Sequence, residues 1–104
     1  MNTSKVDFTS LQWESPAAGT RSKSIIRKGK KLRLVEFTRE LIEQEWCVKG
    51  HTGYVLEGEL EISFNTQAER FTAGDGILIS GGERERHKAR AISPTVKLVL
   101  VEDA

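Results

Sequence analysis

Apolar and polar residues alternate along much of this chain with a period of two. That spacing turns every other side chain to the same face of a β-strand. In ELEISF, Leu60, Ile62 and Phe64 share one face, and Glu59, Glu61 and Ser63 share the other. In LRLVEFT (32–38) apolar residues fall on both faces, as in a strand inside a two-layer β structure. Shorter β-rich runs lie at 24–27, 45–48, 69–72, 77–80, 87–92 and 96–102. The run YVLEGELEISF reads as one longer strand over 54–64. Turn chemistry separates these runs: Lys28-Gly29-Lys30, Lys49-Gly50, Asn65-Thr66, Ala73-Gly74-Asp75-Gly76, Gly81-Gly82 and Ser93-Pro94-Thr95. The segment 39–43 is too short to stand as a helix and reads as an irregular link. About eight short strands at regular spacing, with little helix, predict an all-β sandwich or barrel and exclude a parallel α/β sheet.

The first twenty residues do not share the alternation. They are polar with scattered Val6, Phe8, Leu11 and Trp13, and end in a loop around Pro16 and Gly19. The expectation is an N-terminal arm (1–20) laid over one domain (21–104), with Phe8 and Trp13 as anchors, since two aromatics would otherwise be left in water. A length of 104 residues, 38% apolar and 30% charged, suits a single core. The net charge of +1 gives no global pull toward nucleic acid or membrane. Seven cations fall between Arg21 and Arg33 with no acid among them, and Arg84, Arg86, Lys88 and Arg90 form a second row. Without interleaved aromatics these read as solvated strand edges, not a nucleic-acid surface. The lone cysteine excludes an internal disulfide. There is no apolar leader-like region and no long apolar run, so the expected setting is the cytoplasm, with no membrane partner.

Chemistry-bearing residues concentrate in two places. In EWCVKGH, Glu45 and Cys47 are two apart and share a face, and His51 follows the Lys49-Gly50 turn. In GGERERHKARA, an extended strand would put Glu83, Glu85, His87, Ala89 and Ala91 on an inward face and the cations on the other. A thiolate, two imidazoles and carboxylates are reasonable ligands for one divalent ion: zinc, or iron, nickel or copper. The same residues also read as a metal-free pocket, in which Cys47 is a small buried hydrophobe and the histidines bond to Glu45 or Glu85. A histidine beside a carboxylate in a dry cavity is equally a general base, which makes His51 and His87 the candidate catalytic residues. Tyr54 leaves the turn on the following strand and is the candidate substrate contact, or an ordinary half-buried aromatic.

The sequence GYVLEGELEI followed by FTAGDGILIS resembles the cupin superfamily, specifically the small single-domain cupins, over roughly residues 24–102. The family's first motif, G-x5-H-x-H-x3-E-x6-G, ends on Gly58. Its ligand positions then fall on Glu45, Cys47 and His51. The second, G-x5-P-x-G-x2-H, starts at Gly74, keeps Gly82, and puts its histidine position on Glu85, two residues before His87. The framework glycines Gly58, Gly74 and Gly82 match, and all four ligand positions carry other residues. The resemblance implies a jelly-roll double-stranded β-helix, a homodimer, and one cavity lined by Glu45, Cys47, His51, Glu85 and His87. It also implies binding of a small polar metabolite, neutral or anionic, with or without a divalent metal. The alternatives are a metal-assisted or acid–base enzyme (isomerase or dioxygenase type) on a small carbohydrate or carboxylate, and a non-catalytic interaction protein that keeps the barrel.

Overall fold

The alternation becomes nine antiparallel strands in a computed structural model that describes residues 4–104. They are β1 (Glu14–Ala17), β2 (Thr20–Arg27), β3 (Lys30–Thr38), β4 (His51–Glu57), β5 (Glu59–Ser63), β6 (Ala68–Thr72), β7 (Gly76–Ile79), β8 (Lys88–Ala91) and β9 (Thr95–Asp103). Six form one sheet in the order β1-β2-β3-β9-β4-β7, and three form the second in the order β6-β5-β8. The expected all-β, two-sheet architecture is therefore present. The only helical pieces among the described residues are 3-10 turns at Phe8–Ser10 and Glu83–Glu85. No helix among the described residues is long and apolar enough to cross a membrane.

The two sheets close over one core, made by the inward residues of the alternating strands. Strand β9 shows the pattern most plainly: Val96, Leu98, Leu100 and Glu102 are buried, and the residues between them are not. Val35 and Phe37 of β3, Val55 of β4, Leu60 and Ile62 of β5, Ile77 and Ile79 of β7 and Ala91 of β8 complete it. Val55, Leu60 and Val96 are wholly shielded, each contributing about 1.5–3 kcal/mol of transfer free energy.

The single long strand expected over 54–64 is in fact two. Gly58 takes φ 86°, in the left-handed region, and there the chain leaves the large sheet as β4 and joins the small one as β5. A Cβ at this point would lie 2.2 Å from the Thr95 carbonyl oxygen. The expected strand over 45–48 is absent: the backbone bends at Glu45, and only Cys47 pairs, through an isolated bridge to His87. Strand β1 pairs with β2, and Trp13 just ahead of it lies beneath Arg21 and Lys23 at 4.0 and 4.9 Å. The Lys23 ammonium also donates to the Phe8 carbonyl at 2.8 Å. The basic run of β2 and β3 is partly neutralised, by Arg21–Glu36, Lys30–Asp103 and Arg33–Glu102 pairs.

Gly58→Ala should cost at least about 1–3 kcal/mol from the positive φ alone, before the Thr95 collision is counted. Thermal unfolding should show a fall of roughly 4–8 °C per kcal/mol for a domain of this size. A melting temperature unchanged within a degree would contradict the role given to Gly58 in passing the chain between sheets.

Candidate metal and ligand site

The site is assembled by a backbone pairing outside the regular strands. Cys47 and His87 exchange both N–H···O bonds, each 2.9 Å, just ahead of β8. Residues opposed in an antiparallel pair project to the same side, so the buried His87 brings Cys47 to face inward with it. The irregular link that carries Cys47 is pinned to β8 by side chains. Ala89 N donates to Glu43 Oε1 at 2.7 Å, and Lys88 Nζ donates to the Gln44 carbonyl at 2.9 Å. After Cys47 the chain turns through Gly50 and enters β4 at His51, on the same face as Val55 and opposite Ile79 of β7.

Three potential ligand atoms result, from Cys47, His51 and His87, all within 4.8 Å of one another. Cys47 Sγ lies 3.6 Å from His51 Nε2. The two imidazoles meet edge to face with centroids 5.0 Å apart, and Phe64 packs against His87 at 6.1 Å. His87 Nδ1 lies 2.9 Å from the Glu85 carbonyl oxygen, which requires an Nδ1–H and leaves Nε2 as its lone-pair nitrogen. His51 Nδ1 lies 2.5 Å from Glu102 Oε2, and a carboxylate at that distance also demands the proton on Nδ1. Glu102 is held in turn by Arg33, with Nε 2.8 Å from Oε1 and Nη2 donating to Oε2 at 2.9 Å. The N–H directions at His51 Nδ1 and Arg33 Nε miss good hydrogen-bond alignment, so these two contacts act by proximity and charge.

Both histidines thus have Nδ1 against an oxygen, which leaves Nε2 of each free to coordinate, and His51 turns its Nε2 toward the thiol. This is the arrangement that orients metal-binding imidazoles. A tetrahedral zinc at roughly 2.0–2.3 Å from each ligand needs ligand atoms about 3.3–3.8 Å apart. The Cys47–His51 distance of 3.6 Å already meets that, and the set as a whole needs only a small contraction. The residues present fit a divalent ion with three protein ligands.

The three groups open on a cavity of about 390 Å³ between the sheets, whose other walls are mostly aliphatic. Glu45 does not line it: the bend leaves this residue exposed, which breaks the period-two relation to Cys47. Glu85 does not line it either. Residues Glu83–Glu85 wind as a 3-10 turn, so the alternation starts only at His87, and the Glu85 carboxylate accepts Ser80 N at 2.8 Å. Tyr54 faces outward, 47% exposed, with its hydroxyl near Gly74. Trp46 is partly exposed beneath Arg86 and Lys88 at 4.9 and 5.0 Å, a cation–π contact. Glu102 and Arg33 are the residues that candidate-ligand reasoning misses. Their signal is an acid and a base continuing the inward alternations of β9 and β3.

Burial holds the His51 pKa below its usual value, with His87 and Arg33 adding to the fall and Glu102 opposing it. As pH drops through about 6.5, an unfolded imidazole binds a proton that folded His51 still refuses. The unfolded state then carries more protons, so stability rises with pH in this window and is lost on acidification until the lower folded pKa is passed. In metal-free protein the melting temperature should therefore fall between pH 7.5 and 5.5, and His51→Gln should flatten that slope. An identical slope in the variant would contradict the assignment.

No protein-family model matches the sequence, and no curated protein sequence matches it. Solved structures do match. KdgF from Halomonas sp. superposes with a TM-score of 0.79 at 19% identity, covering 99% of this chain and 96% of its own. An RmlC-like cupin from Shewanella frigidimarina NCIMB 400 gives 0.78 at 14% identity, covering 98% and 91%. HppE in its apo form gives 0.75 at 12% identity over 93% of this chain, which spans 56% of HppE. The chain has the fold of a small cupin domain.

Proposed function

We propose that the protein is a small-molecule-binding cupin whose cavity holds one divalent metal through Cys47 Sγ, His51 Nε2 and His87 Nε2. The observation that carries this reading is the convergence of Cys47, His51 and His87 within 4.8 Å, with Nδ1 of each imidazole against an oxygen and so Nε2 left to coordinate. A ligand set containing thiolate favours zinc, and imidazole-rich sites also suit iron, nickel or copper. The similar fold of HppE has been solved in an FeII form, which supports the capacity of such a barrel for iron. Three protein ligands leave a coordination position for the small molecule, and a bound ion would supply Lewis-acid polarisation of its oxygen. Glu102 orients His51 and Arg33 neutralises Glu102. Glu45, Glu85 and Tyr54 take no part, on the placement given above.

A second reading has its own observation. His51 stands between Cys47 Sγ and the Glu102 carboxylate, the order of nucleophile, base and orienting acid. On this reading the site is metal-free and His51 is a general base for a carboxylate or carbohydrate substrate, with His87 beside it. A free, half-buried thiol stays reduced in the cytoplasm, the setting proposed here.

A homodimer is proposed through the outer face of the six-stranded sheet. One row across it runs Ile25, Leu32, Val101, Thr52 and Leu78, with Leu78 86% exposed and Val101 38% exposed. Sedimentation should give a dimer that Leu78→Lys turns monomeric while the fold is retained. A wild-type monomer at tens of micromolar would sink this part of the proposal.

Metal content decides between the two site readings. Untagged protein should carry about one equivalent of metal, lost in Cys47→Ala and in His87→Ala. Glu102→Gln should weaken metal affinity about 10–100-fold without abolishing it. Well-folded wild type that takes up no zinc, iron, nickel or copper would leave the metal-free reading in its place.

A further inference from the structure

We infer that the molecule bound in the cavity is an amphipathic monocarboxylic acid of about eight to ten carbons, its carboxylate at the Cys47–His51–His87 end and its chain along the aliphatic walls. For the head group this rests on the metal-site reading; for the chain it rests on the cavity alone. The walls are made by Val35, Phe37, Leu60, Ile62, Leu98 and Leu100 among other apolar side chains. Away from Arg33 and the Cys47–His51–His87 end, the lining offers a sugar only two polar side chains, and one of them, Thr20, already donates its hydroxyl to the Glu36 carbonyl at 3.3 Å. Glu43 is in the lining, but its Oε1 is already committed to Ala89 N. A polyol here would leave hydroxyl groups unpaired against hydrocarbon, whereas an alkyl chain would exchange water for close contact.

The polar side chains of the lining concentrate in one region, with Thr20 and Glu43 apart from it. Cys47, His51 and His87 cluster there, and Arg33 is joined to His51 through their shared partner Glu102. Arg33 spends Nε and Nη2 on Glu102, and its Nη1 has no partner among the described residues. A guanidinium nitrogen beside a metal-competent triad suits a carboxylate and not an amine. Size gives the chain length. At about 30 Å³ per water-sized heavy atom, 390 Å³ holds roughly a dozen such atoms, the number in octanoate to decanoate. The wall also includes Pro16 and Ala17 from the arm, Leu41, and Ile42, which is 77% exposed, so the cavity reaches solvent past apolar side chains.

The test is calorimetric titration of zinc-loaded and metal-free protein with hexanoate, octanoate, decanoate, dodecanoate, gluconate and octanol. Affinity should rise about 3–4-fold per added methylene and stop rising beyond decanoate, with gluconate not bound. Zinc loading should strengthen octanoate and leave octanol unchanged. Ala89→Leu, which fills part of the cavity, should shorten the best-bound chain; if that variant does not fold, the wild-type series decides alone. Gluconate binding, equal affinity across chain lengths, or octanol binding as tightly as octanoate to zinc-loaded protein would overturn the inference. Failure to load zinc with the chain-length series intact would overturn the metal reading and keep the apolar chain site.

Discussion

The buried carboxylate of Glu102 is the group on which the site depends. A carboxylate taken out of water is tolerated only when it is paired. Glu102 has two partners, Arg33 and His51, drawn from the strands on either side of β9. That pairing fixes the tautomer of His51, gives Arg33 a reason to be inside, and ties the metal-competent end of the cavity to the centre of the large sheet. Removing one partner leaves the other charged and buried, which is costlier than removing both.

Around this pair the barrel divides its interior between two kinds of surface. Apolar side chains on the inner faces of both sheets make the core and the cavity wall. The polar end is assembled where strand regularity fails: at the Cys47–His87 bridge, at the Lys49-Gly50 turn and at the 3-10 turn of Glu83–Glu85. Irregular backbone lets short segments aim Cys47 and His51 at one point, which a straight strand could not do with residues four apart. The motif positions of the cupin frame are occupied by unfamiliar residues, and His87 enters the cluster from two positions beyond the expected one.

The all-β architecture was legible in the sequence because alternation survives wherever one face is buried. It failed where period two was extended past the end of a strand. A continuous extended backbone would put Glu45 on the face of Cys47 and Glu85 on the face of His87. A bend and a 3-10 turn break both relations, and neither has a strong local signal in EWCVKG or GGERER. Gly58 was visible as a motif glycine, but its left-handed φ, and so the split into β4 and β5, was not. Glu102 shows the converse. Its place after Val96, Leu98 and Leu100 announces an inward acid, yet its partners Arg33 and His51 lie far away in sequence, and only the sheet order brings them together.

The most direct test of the central claim is the absorption spectrum of the protein loaded with cobalt(II) in place of its metal. If Cys47, His51 and His87 share one ion, the spectrum should show a thiolate-to-cobalt charge-transfer band and the strong visible bands of a low-coordinate site. Cys47→Ser should remove the first. A spectrum indistinguishable from cobalt in buffer, with the protein folded and the thiol reduced, would contradict the shared metal site.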